Sequence, residues 1–460
     1  MEPSDVSDRL CIVGGGPSGL IAARALLRAG VAVEVLERNS SLGGIWDIDS
    51  PTSPVYESCN FISDREHSGF IGYRMPAHLS EYPTWAEVRD YIRDFARDYD
   101  LERYVKFNHE VVGARFVGSE ETPRWEVRLA DGSVSIYRGV VWACGQQQEG
   151  HRPRFAGEET FSGAIIHSSQ YRSGADFSGK RVLVVGAGNS GVDIACDAAI
   201  FGDSAVLSMR RGYWWLPKWL FGRPTAFMYD EDVPLPPGIT LPENATYDER
   251  RAFVASCMGD LTRIGLAAPD HPLGATHPIA NEQVVHQITH GRLRPAADVD
   301  HIEGSVVHFT DGRREEFDLI VAATGYTVTI PWLSSEYYDT IEGEPDFHLG
   351  TISLRAPALY AVGLLHFPGH TYAVWDRLAQ IMVADVVAQT QGTDVDRARR
   401  IRHEYNPDLR GGKYLVDTPR NRRQVDTPTL EQMFVELRDD FGIPMPDRFD
   451  EQFYRELRVG

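Results

Sequence analysis

Paired cysteines, lysine, long apolar runs and net positive charge are what this chain lacks. Its five cysteines, Cys11, Cys59, Cys144, Cys196 and Cys257, form no CxxC or CxxxxC pair, which excludes a local redox dithiol and a zinc site of short spacing. Lysine occurs only at Lys106, Lys180, Lys218 and Lys413, so arginine supplies nearly all the positive charge, a compositional habit with no functional weight. No apolar run approaches the roughly 18 residues of a membrane span, and no basic, apolar leader precedes Leu10. The expectation is a cytoplasmic protein with no membrane partner. A formal net charge of -20 leaves no basic face for a phosphate backbone and argues against a nucleic-acid partner.

Glycine is where the information lies. Gly14-Gly15-Gly16-Pro17-Ser18-Gly19 and Gly186-Ala187-Gly188-Asn189-Ser190-Gly191 are two GxGxxG loops. Each follows an apolar strand (residues 10–13 and 182–185) and opens a helix (18–29 and 189–200), the context in which the motif binds a dinucleotide. Gly14 and Gly186 allow the tight turn, Gly16 and Gly188 admit the pyrophosphate, and Gly19 and Gly191 let helix and strand pack closely. The pyrophosphate then rests on a helix N-terminus, with Pro17, Ser18, Asn189 and Ser190 flanking it. The fold class is α/β, with two Rossmann-like dinucleotide-binding domains.

The residues closing each second strand differ. Glu37, about 20 residues past the first loop, suits the hydroxyls of an adenosine ribose and disfavours a 2′-phosphate; the first site is expected to hold FAD or NAD. The second unit runs through Ser208 to Arg210-Arg211, whose guanidiniums match a 2′-phosphate in charge and geometry; NADPH is expected there. An Asp-Gly hairpin recurs after each unit, at Asp131-Gly132 and Asp311-Gly312, followed by a strand and a turn, Cys144-Gly145 and Thr324-Gly325-Tyr326. Helices are expected over 84–99, with Thr84 and Glu87 as a capping box, over 247–263 between the Pro-rich loops 234–242 and 269–278, and over 372–389. Trp214, Trp215 and Trp219 are expected to form one cluster over the nicotinamide cofactor or the domain interface. The polar, Arg-rich chain after Asp396 reads as a peripheral extension, its arginines as a solvated face or local ion pairs.

Between the loops, Phe161, Gly163, His167 and Tyr171 form an FxGxxxHxxxY run. In the order first loop, this run, second loop, then Ala323-Thr324-Gly325-Tyr326, the chain resembles the flavin-containing monooxygenases, the class B NADPH-dependent flavoprotein monooxygenases. Gly43-Gly44-Ile45-Trp46 resembles the family's GGxW segment beside the flavin, and Arg210-Arg211-Gly212 its NADPH-phosphate loop.

The resemblance implies that NADPH reduces bound FAD and that O2 adds at flavin C4a to give a peroxide, from which a small-molecule substrate takes one oxygen. It places Gly44, Ile45, Trp46, Thr324 and Gly325 beside the cofactors and leaves a homodimer open. The expected division is an FAD-binding domain over 1–172 and 323–460 around an NADPH-binding domain over 173–322. The family's usual Asn after GGxW falls on Ile62, so Asn60, two residues earlier, or the neighbouring Ser63 or His67 is expected to support the peroxide. His167 and Tyr171 are expected to order the linker between the domains. Ketone-oxygenating (Baeyer–Villiger) relatives end the fingerprint in Trp followed by Pro or Asp; Tyr171-Arg172 tilts the expectation toward nitrogen or sulfur, with ketones and a non-oxygenating NADPH sensor as alternatives.

Overall fold

The computed structural model describes residues 4–229, 235, 237–242, 244–367 and 369–458. Residues 234 and 236 of the Pro-rich loop 234–242 lie outside them. Two five-stranded parallel sheets carry the architecture. The first runs in the order Leu359–Ala361, Gly139–Trp142, Leu10–Val13, Val33–Leu36, Val105–Lys106. The second runs Ala164–His167, Leu319–Ala322, Arg181–Val185, Ser204–Ser208, Leu293–Ala296. The central strands are apolar on both sides because helices and loops cover both faces, as parallel sheets require.

Each sheet carries a three-stranded antiparallel meander: Val111–Phe116, Trp125–Leu129 and Val134–Tyr137 on the first, Val299–Glu303, Val306–Phe309 and Arg314–Glu316 on the second. The duplication expected from the hairpins is therefore present. Ala164–His167 already pairs with Leu319–Ala322, so the chain enters the second sheet before residue 172.

Three helices set the frame. Trp85–Asp98 begins at Thr84, whose side chain and Glu87 form the expected reciprocal cap. The helix in the second unit is shorter than expected: Tyr247–Ser256 ends where Gly259 turns to φ +69, and a separate turn, Leu261–Ile264, restarts behind Asp260. Thr371–Gln391 packs along Pro17–Arg28.

The tail is not peripheral. Helix Thr427–Asp439 buries Leu430, Met433, Phe434 and Leu437 in the same core as Leu20 and Ile21, and Tyr454 is 1% exposed there. Tyr454 donates to Asp376 Oδ1 at 2.5 Å, Asp376 pairs with Arg24, and the Arg24 guanidinium lies 3.7 Å over the Tyr454 ring. Arg397 and Arg399 form the expected local ion pairs, with Asp394 and Glu404, but Arg402 and Arg423 are neutralised inside, on Asp385 and Glu344.

Candidate active site

The two phosphate loops are geometric copies. Gly14 sits at φ +110, and a Cβ there would stand 2.6 Å from the Ala143 carbonyl oxygen; on Gly19 it would stand 1.9 Å from that of Gly14. In the second loop Gly186 sits at φ +105 with the Ala323 oxygen 2.5 Å from a built Cβ, and Gly191 meets Gly186 at 1.9 Å. Any side chain at Gly19 or Gly191 would force the helix off its strand. Neither helix, Pro17–Arg28 nor Asn189–Phe201, has a side-chain cap, so both N-termini keep N–H groups for an anion. Nothing lies within 4 Å of a Cβ placed on Gly188.

Around the first loop, Glu37 is 6% exposed and accepts from the backbone N–H of Gly15 at 2.6 Å and of Asn39 at 2.8 Å. Its carboxylate is thus fixed at the rim of the cradle. Ser18 donates to the Ala143 carbonyl at 3.2 Å. Gly44, at φ +58, approaches so closely that a Cβ would lie 3.0 Å from Gly16 Cα; Ile45 and Trp46 follow in a single turn, with the Trp46 ring 5.2 Å from Phe61. Trp142 Nε1 and Trp375 Nε1 are buried donors with no partner, and Trp375 sits beside Gly363, itself against Ser18. Buried donors without partners are costly; Trp375, on the Thr371–Gln391 helix beside the loop, fits a polar group held between the two, as bound FAD would supply, whereas Trp142 packs in a different cluster with Val13 and Leu36.

Around the second loop, Arg210 is exposed and Arg211 half-buried, its Nε buried without a partner; Asn189 Oδ1 is likewise unsatisfied. The Arg211 donor fits a bound phosphate, whereas the Asn189 oxygen, an acceptor, needs a donor such as a hydroxyl or amide N–H. Ser208 departs from its expected role: it is 0% exposed and its hydroxyl is spent on the Ala297 carbonyl at 2.7 Å. The three tryptophans do not form one cluster. Trp215 is in the core of the second sheet, Trp214 packs in a separate group with Nε1 donating to the His271 carbonyl, and Trp219 is 44% exposed.

The fingerprint ties the units together. His167 Nε2 lies 3.0 Å from the Gly325 carbonyl, and Thr324 donates to the His151 carbonyl, so the Thr324-Gly325 turn is anchored to the linker. The buried hydroxyl of Tyr171 donates to Asp197 Oδ2 at 2.8 Å, an oxygen that also accepts from Ser58. Tyr56 donates to Asp193 at 3.1 Å, and Asn281 donates to its other oxygen at 2.8 Å. Burial raises the Asp193 and Asp197 carboxyls and lowers the His167 imidazole. The phosphate-loop helix of the second unit is thereby pinned to residues 56–58 of the first.

The segment after GGxW differs from the expectation. Asn60 Nδ2 donates to the Tyr82 carbonyl at 2.9 Å and its backbone bridges Thr84, so that amide nitrogen is already engaged. Ile62 and Ser63 are half-buried. Asp64, which sequence reasoning missed, is 1% exposed; its Oδ1 holds His67 Nδ1 at 2.7 Å while its Oδ2 has no partner. His67 packs against Phe227 and His370, and the His370 ring reaches the His67 carbonyl at 3.1 Å. A DxxH spacing was the available signal.

Two dinucleotide cradles coupled by a His/Tyr linker define a flavoprotein of the two-nucleotide class. Residues 7–383 match the flavin-binding monooxygenase-like family model, and the chain belongs to that family. It is 27% identical over 375 residues to mouse flavin-containing monooxygenase 5, covering 78% of this chain and 69% of that one. It is 29% identical over 389 residues to the probable indole-3-pyruvate monooxygenase YUCCA3 of Arabidopsis thaliana, covering 79% and 85%. Among solved structures, a flavin-containing monooxygenase from Stenotrophomonas maltophilia superposes with a TM-score of 0.60 at 22% identity, covering 84% and 99%. An open form of cyclohexanone monooxygenase superposes at 0.67 and 18%, covering 96% and 99%. The protein is a flavin-dependent monooxygenase that uses FAD and NADPH, with O2 and a small molecule as substrates. Among the described residues no helix is long and apolar enough to cross a membrane.

Proposed function

We propose that this enzyme transfers one oxygen atom from O2 to a nucleophilic nitrogen or sulfur of a small molecule. The observation that carries this reading is the fingerprint: Tyr171, rather than the Trp of ketone-oxygenating relatives, ends it, and its hydroxyl is committed to Asp197. The flavin, when bound, supplies the redox and oxygen chemistry. The chain's own residues bind and orient. FAD is held by Gly14, Gly16, Pro17, Ser18, Gly19 and Glu37, with Gly44, Ile45 and Trp46 beside the ring. NADPH is held by Gly186, Gly188, Asn189, Ser190 and Gly191, with Arg210 and Arg211 on the 2′-phosphate and the Thr324-Gly325 turn between the cofactors. The FAD-binding domain comprises 1–172 and 323–460, the NADPH-binding domain 173–322, with Ala164–His167 lent to the second sheet. On the segment that follows GGxW, the buried Asp64–His67 pair is a polar group that could support the flavin chemistry, with Asn60 and Ser63 as the other hydrogen-bonding side chains there.

The test is isotopic. Holoenzyme with NADPH and 18O2 is offered an amine, a sulfide and a ketone, and products are weighed by mass spectrometry. The expected result is one labelled oxygen in the amine or sulfide product. A labelled ester from the ketone alone would favour Baeyer–Villiger chemistry, and NADPH oxidation that yields only hydrogen peroxide with all three would overturn oxygenation of these classes.

A further inference from the structure

Between the helix Tyr247–Ser256 and the tail residues 410–427, beyond the 7–383 matched by the family model, lies a small cavity. It offers about 20 Å³ in which the centre of a water molecule could move, above the roughly 10–15 Å³ that one water needs. Arg251 lines it and is 7% exposed. Among the described residues its guanidinium forms no hydrogen bond and no ion pair, and its Nη2 is a buried donor without a partner. The guanidinium lies against Gly274, where a Cβ would stand 3.3 Å from Nη1.

The other charges around the cavity are matched. Lys413 Nζ holds Asp248 Oδ2 and Asp426 Oδ1, each at 2.8 Å. Asp426 Oδ2 is taken by Thr429, accepting from its N–H at 3.2 Å and its hydroxyl at 2.8 Å. Arg410, exposed on the same wall, donates to the Arg422 carbonyl at 3.0 Å and has Asp346 within electrostatic reach. Arg251 is the group left over. Thr427 Oγ1 is a second buried atom on this wall without a hydrogen bond, although the Tyr247 hydroxyl is near. A buried guanidinium with none of its donors used is expensive. Arginine has five N–H donors and no acceptor, so what is missing is an acceptor, and its planar fork is matched by two oxygens of one anion.

We propose that Arg251 anchors a binding site for a small oxyanion, a carboxylate or phosphate group, lodged between this helix and the tail with Arg410 at its exposed side. Two sources carry that chemistry, free inorganic phosphate and the acid group of a small organic molecule. An occupant bridges the second unit and the tail. The claim stands apart from the oxygenation reading above and survives its failure.

The experiment is isothermal titration of the flavin-loaded full chain, with NADP+ at saturation so that the cradle of Arg210 and Arg211 is filled. The probes are sodium phosphate and sodium acetate at fixed ionic strength, and the variants are Arg251→Gln, Arg251→Lys and Arg410→Gln. Arg251→Gln is expected to weaken a probe that the wild type binds by about tenfold or more, as loss of a charge-assisted hydrogen bond requires, with part of the loss restored in Arg251→Lys. Loss for phosphate alone assigns a phosphate group, loss for acetate alone a carboxylate, and loss for both an oxyanion of either kind. No binding of either probe by the wild type, or equal affinities in wild type and Arg251→Gln, overturns the proposal. If Arg251→Gln does not fold, judged by flavin content and circular dichroism, Arg410→Gln decides: it is expected to weaken the same probe, and an unchanged affinity overturns the proposal.

Discussion

At the scale of single residues, charge at the end of one strand separates the two cradles. Replacing Arg210 and Arg211 by Ala removes charge-assisted hydrogen bonds of about 1.5–3 kcal/mol each. The KM for NADPH is expected to rise at least tenfold while that for NADH hardly moves; equal effects on both would sink the assignment. Gly19→Ala puts a methyl 1.9 Å from the Gly14 oxygen, so the purified variant is expected to lose its flavin, measured by the absorbance ratio at 450 and 280 nm, about the usual flavoprotein bands. Full flavin occupancy would contradict the cradle. At two site positions a distant backbone group competes: Asn60 Nδ2 and the Ser208 hydroxyl donate to the carbonyls of Tyr82 and Ala297, contacts that neither motif nor spacing encodes.

Among elements, the parts written in short-range chemistry were legible: the glycine loops, the Thr84/Glu87 cap and both Asp-Gly hairpins depend on neighbours within a few residues. The tail was not, because its burial rests on partners far away in the chain, Tyr454 against Arg24 and Arg423 with Glu344. The Tyr171–Asp197 bond joins two elements and is testable there. Tyr171→Phe leaves Asp197 with Ser58 alone, and is expected to lower unfolding stability by about 1–2 kcal/mol in a urea titration. Since Asp193 still holds Tyr56 and Asn281, a loss much larger than this would mean that Tyr171 does more than couple the units.

For the whole molecule, acidity should loosen the fold. Burial depresses His167, His277, His348 and His366, so each takes up a proton more readily when unfolded. Their contribution is complete above the ordinary value near 6.5 and is lost as pH falls toward the folded values. Raised carboxyls such as Asp376 and Asp193 act in the opposite sense. The melting temperature is therefore expected to drop between about pH 7.5 and 5.5; a flat or rising profile over that window would show that these imidazoles are not held neutral.

The joining of Arg24 to Asp376 and Tyr454 also dictates an order of birth. Chains usually settle from the N-terminus as they are synthesised, but the first sheet lacks its edge strand Leu359–Ala361, and the first phosphate-loop helix lacks its buried counter-ion, until nearly all of the polypeptide has been made. The second sheet, drawn from residues 164–322 alone, has every strand before the first sheet does. On the ribosome the second unit is the one able to close first, while the first waits, its opening residues unsheltered, for the last segment to emerge.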